Sequence, residues 1–124
     1  MAHFASKIVD QEPAAPAGTI DRGQLARMTF GDRSLEREVL QLFDRQAGLL
    51  LARMRDREPS AVAALAHTLK GSASSIGAIG VVAAAETVEK AASAAERDLA
   101  IGRLAMAIDA ARAAIAGLPG VLQG

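Results

Sequence analysis

SLEREVLQLFDRQAGLLLARMRDR, residues Ser34 to Arg57, carries the clearest structural pattern in this sequence. Apolar side chains recur in it every three or four positions, which is the spacing of one face of an α-helix. Asp32 or Ser34 is placed to cap the first turn, because a short polar side chain there accepts a hydrogen bond from a free amide. We expect the apolar stripe to be buried, and Gln46, which lies within the stripe, to be a polar group near the top or edge of the core. Its predicted members are Leu35, Val39, Leu42, Phe43, Leu49, Leu50 and Met54.

Three more helical segments follow this one, and one short segment precedes it. Alanine, the best helix former, is frequent, and no segment alternates apolar and polar residues as a strand does. The connectors are short, so neighbouring helices must run antiparallel. We therefore expect an all-α fold, an up-and-down antiparallel four-helix bundle with a short extra N-terminal helix. The other predicted helices span Pro59–Ile76, Ala78–Ser93 and Glu96–Ala116, and the short one runs from Thr19 or Asp21 to Met28.

The same periodicity predicts which side chains of these helices face the core. The last helix alternates spacings of three and four, as bundle seams do, and Gly77 suits the left-handed position that ends a helix. The predicted domain, 19–118, is flanked by a flexible leader rich in Pro and Ala over 1–18 and by a frayed end over 119–124. The predicted inward residues are Ile20, Leu25, Met28, Val62, Leu65, Leu69, Ala73, Ile76, Val81, Ala85, Val88, Ala92, Ile101, Leu104, Ile108, Ala111, Ile115 and Leu118.

The composition excludes several classes of function. A chain of 124 residues that is 51% hydrophobic, with 14 basic and 14 acidic residues, is one globular domain of zero net charge. It lacks the basic field and the aromatic platform of nucleic-acid binders, so we expect no nucleic-acid partner. The absence of Cys and the presence of only two His exclude thiolate and multi-histidine metal sites. Without a membrane span or a secretory signal, the protein is expected to be cytoplasmic and to have no membrane partner.

The segment Ala66–Ala78 departs from the simple amphipathic pattern. On a helical wheel, His67 lies nearly opposite the apolar stripe, and Lys70, Gly71 and Ser74 share its side. A glycine inside a helix costs about 1 kcal/mol relative to alanine. That cost is explained if a larger side chain at Gly71, one turn after His67, would obstruct a partner. The alternatives are a passive surface histidine and a glycine required by tight helix packing.

The run His67-Thr68-Leu69-Lys70-Gly71-Ser72-Ala73, followed by Ile76-Gly77-Ala78, resembles the phosphorylation-site signature of histidine-containing phosphotransfer (HPt) domains. These are four-helix bundles that relay phosphoryl groups between the receiver domains of response regulators. The resemblance extends more loosely from Ile20 to Leu118. It implies that the chain is a phosphorelay intermediate.

The resemblance also implies a role for individual residues. His67 would be the phosphoacceptor and attack a partner's phospho-aspartate through Nε2, because an imidazole is largely uncharged and nucleophilic near neutral pH. Lys70 would balance the charge of the phosphoryl oxygens. Glu89, on the next helix, occupies the place where family members often carry a Gln or Glu that orients the imidazole through Nδ1. Gly71 and Ser74 would belong to the partner-binding surface.

Three of these residues have simpler interpretations. Lys70 could be an ordinary solvated lysine. Glu89 could be a surface carboxylate near Lys90 or Arg97, and Ser74 could hydrogen-bond back to its own helix.

No nucleotide-binding motif is present in the sequence, neither a phosphate-binding loop nor a kinase glycine loop. We therefore expect a phosphate carrier without autonomous ATP-dependent kinase activity and without a cofactor of its own. Any Mg²⁺ would belong to the partner receiver domain. The expected partners are response-regulator receiver domains, a hybrid histidine kinase, or both, and the expected state is a monomer.

Two other functions are compatible with the sequence. A phosphoacceptor domain of a chemotaxis-type histidine kinase shares the motif but receives phosphate from ATP through a separate catalytic domain. The Met1 start and the Gly- and Pro-rich end favour a stand-alone relay protein over this alternative. The other alternative is a non-catalytic helical adaptor with a degenerate motif.

Overall fold

The computed structural model describes residues 18–56 and 59–122, and most of these residues lie in α-helices. Apart from one isolated antiparallel bridge between Ile20 and Ala78, no β-structure occurs among them. The all-α class is therefore confirmed. Most of the predicted leader, residues 1–17, and the last two residues of the predicted frayed end lie outside the described residues. The helices are α1 (Arg22–Thr29), α2 (Arg33–Asp56), α3 (Pro59–Ile76), α4 (Ile79–Lys90) and α5 (Ala94–Ala116).

The helices form a bundle around a core of aliphatic and alanine side chains. Helix α3 packs between α2 and α4, α4 packs on α5, and α5 packs back on α2, while the short α1 rests on α2 and α3. In the part of the chain that the structure describes, no helix is both long enough and apolar enough to cross a bilayer.

Local capping decides where the helices begin and end. Asp21 and Asp32 are the caps of α1 and α2, because their carboxylates accept from the Gln24 and Leu35 amides at 3.1 Å. Helix α3 has the predicted bounds.

Helix α4 ends at Lys90, three residues before the predicted end, and α5 begins at Ala94 rather than Glu96. Both differences come from Ser93, which caps α5 by accepting a hydrogen bond from the Glu96 amide. The Glu96 carboxylate reaches back to the Ala92 amide, so the two residues satisfy free amides reciprocally.

The predicted buried stripe of α2 is wrong in part. Phe43, Leu50 and Met54 are buried, but Leu42 and Leu49 are 44% and 62% exposed. Two parallel stripes run along this helix, and only one of them can face the other helices. The stripe that contains Gln46 stays outside, since burying an unpaired amide is costly, and Gln46 is exposed. The buried residues of α2 are Leu40, Phe43, Ala47, Leu50, Leu51 and Met54.

Most residues of the other helices that were predicted to face the core are buried, because each of these helices carries a single apolar stripe. Ala92 is exposed since it lies beyond the end of α4, and Met28 is 50% exposed. Thr29 is buried in place of Met28, and its hydroxyl donates to the Leu25 carbonyl at 2.8 Å. The confirmed buried residues are Leu25, Val62, Leu69, Ala73, Ile76, Val81, Ala85, Val88, Ile101, Leu104, Ile108, Ala111 and Ile115; Ile20, Leu65 and Leu118 are partly buried.

The chain after α5 keeps contact with the bundle. Val121 is buried among the core residues, and its carbonyl accepts a hydrogen bond from the side-chain amide of Gln41. The domain limits of 19 and 118 stay a prediction.

Gly77 joins α3 to α4 and holds α1 in place. Its φ is +75°, which disfavours any residue with a Cβ, and its carbonyl accepts from the Asp21 amide at 2.8 Å. A Cβ on Gly77 would lie 2.5 Å from the Asp21 carbonyl oxygen, a backbone atom that a rotamer change cannot move aside. The start of α1 therefore depends on a glycine at this position.

We expect Gly77→Ala to destabilise the fold by more than the roughly 1–2 kcal/mol of a left-handed alanine alone, and to detach residues 20–21 from the α3–α4 turn. Urea unfolding and amide exchange of Asp21 measure the two effects. Gly31→Ala is the matched control, because Gly31 has a φ of +73° but open space around its Cβ position. Equal destabilisation by the two substitutions would contradict this expectation.

Candidate functional site

His67 stands on the solvent-facing side of α3. Its side chain is 71% exposed, whereas its neighbours Ala66 and Leu69 are fully buried. A histidine at this position contributes little to the core. It is open to a group that arrives from solvent.

Glu89 of α4 holds the imidazole of His67 in one orientation. Nδ1 of His67 lies 3.1 Å from Oε2 of Glu89. An ionised carboxylate can only accept a hydrogen bond, so the proton of a neutral imidazole must lie on Nδ1. Nε2 then keeps its lone pair, and among the described residues it has no hydrogen-bond partner. Nε2 is thus the ring nitrogen that is left free to react.

Lys70 shares the same carboxylate. Its Nζ lies 2.9 Å from Oε1 of Glu89, and the two side chains are 29% and 21% exposed. Oε1 is shielded from water, and the Lys70 ammonium, within hydrogen-bond distance, is its ionic partner. One carboxylate thus connects His67 and Lys70, two residues of the motif. The pairing of Lys70 with Glu89 was not among the sequence-based predictions.

The electrostatics keep this carboxylate ionised. Contact with the Lys70 ammonium lowers the pKa of Glu89 below its ordinary value of 4.5; partial burial opposes this effect and the hydrogen bond from His67 adds to it. Because the pKa is lower in the folded state, ionised Glu89 stabilises the fold at pH values above about 4.5. That contribution is lost as the pH falls through the lowered pKa.

A second ion pair lies on α4 itself, between two residues four positions apart, Glu86 and Lys90. Lys90 Nζ is 2.7 Å from Oε1 of Glu86, and the lysine lowers the pKa of this glutamate. Glu89 is therefore paired across to α3, whereas Lys90 pairs within its own helix.

Gly71 and Ser74 are exposed on the same helix as His67. A Cβ added to Gly71 would meet nothing within 4 Å, and its φ is not positive, so neither packing nor backbone geometry requires glycine. The tight-packing interpretation of Gly71 is therefore wrong. The Ser75 hydroxyl, rather than that of Ser74, donates back to its own helix, at the Gly71 carbonyl.

Substituting Glu89 by Gln is expected to remove the preference of the His67 imidazole for the Nδ1–H tautomer. A glutamine amide can either accept from or donate to Nδ1, so both neutral tautomers of His67 become populated. The ¹⁵N chemical shifts of the ring nitrogens near pH 8 report the change. Glu86→Gln, one turn away on the same helix, should leave the Nδ1–H tautomer of the wild type intact. A wild type dominated by the Nε2–H form would contradict the assignment.

Comparison with known families agrees with this geometry. The family model for the Hpt domain matches residues 34–114, which include α3, α4 and the His67–Glu89 contact. Searches of curated proteins and of solved structures found no match to the chain. The matched segment covers more than half of the sequence and contains the whole cluster of imidazole, ammonium and carboxylate. The chain therefore belongs to the Hpt domain family, whose function is histidine phosphotransfer in two-component signalling.

Proposed function

We propose that this protein is a phosphorelay intermediate, which accepts a phosphoryl group on His67 from a receiver-domain phospho-aspartate and passes it to the aspartate of another receiver. The observation that carries this proposal is the exposed His67 ring, whose Nδ1 is held by Glu89 and whose Nε2 is free. A nucleophile that must meet two partners in turn has to be exposed.

The transfer step needs only groups that the two proteins bring together. The Nε2 lone pair of His67 attacks phosphorus in line with the bond to the aspartyl oxygen. The N–P bond forms as the P–O bond breaks, and the aspartate leaves as a carboxylate. Glu89 favours the product, because a carboxylate at Nδ1–H stabilises the positive charge that develops on the ring. The reverse reaction passes the group to the next aspartate.

Lys70 supplies the charge that the phosphoryl group requires. It lies three residues after His67, so both side chains reach the same side of α3. Phosphoryl transfer depends mainly on positioning and on charge stabilisation. We propose that the Lys70 ammonium turns from Glu89 toward the phosphoryl oxygens when the group arrives. Mg²⁺ would be supplied by the acidic pocket of the receiver, and this chain would need no cofactor of its own.

The proposed docking face surrounds His67 and includes Gly71 and Ser74. The outer stripe of α2 gives it an apolar part through Leu42 and Leu49, which are well exposed. A relay complex must dissociate after each transfer, which fits an interface at the small end of the usual size range. The proposal includes an up-and-down order of the four long helices, a monomeric state and a cytoplasmic location.

A labelling experiment with two donors tests the function. In one reaction, receiver domains charged with ³²P-acetyl phosphate are mixed with the protein; in the other, the donors are ATP and the catalytic domain of a chemotaxis-type kinase. We expect acid-labile, alkali-stable label from the receivers. Label from the kinase domain alone would favour the phosphoacceptor alternative, and no label from either would favour the adaptor.

A further inference from the structure

A groove opens beside the docking face, where the start of α1, the end of α3 and the first half of α4 meet. Its volume is about 330 Å³. The floor is apolar and consists of Ile79, Val82 and Ala83, and Ile79 is 46% exposed. The rim carries the carboxylates of Asp21 and Glu86. Within the described residues, no cationic side chain lines the groove.

The groove is continuous with the face that carries His67. Ser74, two helical turns after His67 on α3, lines its edge. Glu86 stands one turn before Glu89 on α4, so its carboxylate lies beside the cluster of Lys70 and Glu89. A protein seated over His67 would therefore extend over the groove.

The shape of the groove is set before any partner binds. The Asp21 amide donates to the Gly77 carbonyl at 2.8 Å, and Ile20 forms a β-bridge with Ala78. These backbone contacts hold Ile20 and Asp21, the N-cap of α1, against the turn between α3 and α4. A preformed groove reduces the ordering cost of binding.

The chemistry of the groove defines what fits it. An apolar floor of this size accommodates one large aliphatic or aromatic side chain, and removing it from water is favourable. The two rim carboxylates favour a cation beside that side chain. Lys90 pairs with Glu86 from outside the groove, but this pair is exposed and screened by water, so a partner's cation can compete for the carboxylate. An acidic partner segment would be repelled.

We propose that this groove selects the receiver domain by binding a segment in which a large apolar side chain is next to a Lys or Arg. This inference rests on the proposed function, since it assigns a second contact to the partner that meets His67. Receiver domains with such a segment dock with their phospho-aspartate aligned with His67 for transfer. Receivers with an acidic segment at that place dock weakly.

Saturation of phosphotransfer by ³²P-charged receiver domains tests the groove, with Glu86→Lys and Ile79→Ser as the variants. We expect each to raise the half-saturating receiver concentration by about tenfold, and Glu86→Lys also to weaken its dependence on salt. Asp109→Lys, the same kind of charge reversal at an exposed position of α5, is the control and should leave saturation unchanged. Phosphoramidate, a small donor with no docking surface, should label His67 in the Ile79→Ser variant, which carries no charge change beside Lys70, at the wild-type rate.

Saturation at wild-type concentrations in both variants, with His67 still labelled by receivers, would overturn the groove and leave the relay function standing. Slower labelling of the Ile79→Ser variant by phosphoramidate would overturn the groove as well, because the effect of the substitution would then lie at His67 itself. If no receiver labels the wild type, while phosphoramidate does, the relay function and the groove both fail.

Discussion

His67→Gln is expected to abolish phosphoryl acceptance and to leave the bundle folded. Glutamine has no nitrogen with a free lone pair, so no stable N–P bond can form at this position. The loss should therefore be complete, down to the background of the assay. The substitution removes one exposed ring and one hydrogen bond to Glu89, so we expect the free energy of unfolding to change by no more than about 0.5 kcal/mol. Labelling by ³²P-charged receivers measures the first effect and urea unfolding the second.

The chain itself provides the control for this experiment. It contains one other histidine, His3, and His3→Gln should take up label as the wild type does. Acid-labile label on the His67→Gln variant would show that phosphate is carried elsewhere. Label lost from both variants would contradict the assignment of a single acceptor.

Gly71→Gln is expected to block transfer from receivers while making the protein more stable. The Cβ position of Gly71 is open, so the new side chain meets nothing in its own bundle. Removing a helical glycine should add about 0.5 kcal/mol to the free energy of unfolding. The same side chain would stand one turn from His67, in the path of an approaching receiver. We expect transfer to fall at least about tenfold, equivalent to 1.4 kcal/mol, and Gly71→Ala to have a smaller effect.

Gly102→Gln is the matched control, because Gly102 is also a helical glycine with nothing within 4 Å of its Cβ position. It lies on α5, outside the proposed docking face, so it should gain similar stability and keep normal transfer. Phosphoramidate should still label His67 in the Gly71→Gln variant. Normal receiver transfer by Gly71→Gln, or equal losses in the two glutamine variants, would rule out a steric role for Gly71.

Local sequence patterns predicted the structure correctly where each pattern was compatible with a single arrangement. Helix α3 begins at Pro59 and ends before a left-handed Gly77, and both signals act through backbone geometry that no neighbour alters. Helix α2 carries two apolar stripes, so periodicity alone did not show that Leu42 and Leu49 lie on the outside. The end of α4 was misplaced because Ser93 is compatible both with the end of one helix and with the cap of the next.

The amino-acid order alone was sufficient to place His67, Lys70 and Gly71 on the outer side of one helix, because an angular position within a helix depends only on residue spacing. It did not reveal that Lys70 also pairs with the carboxylate of Glu89, or that Asp21 and Glu86 line the same apolar groove. Those contacts join residues on different helices and depend on how the helices are rotated and spaced. Packing of the whole core sets that arrangement, and no local pattern encodes it.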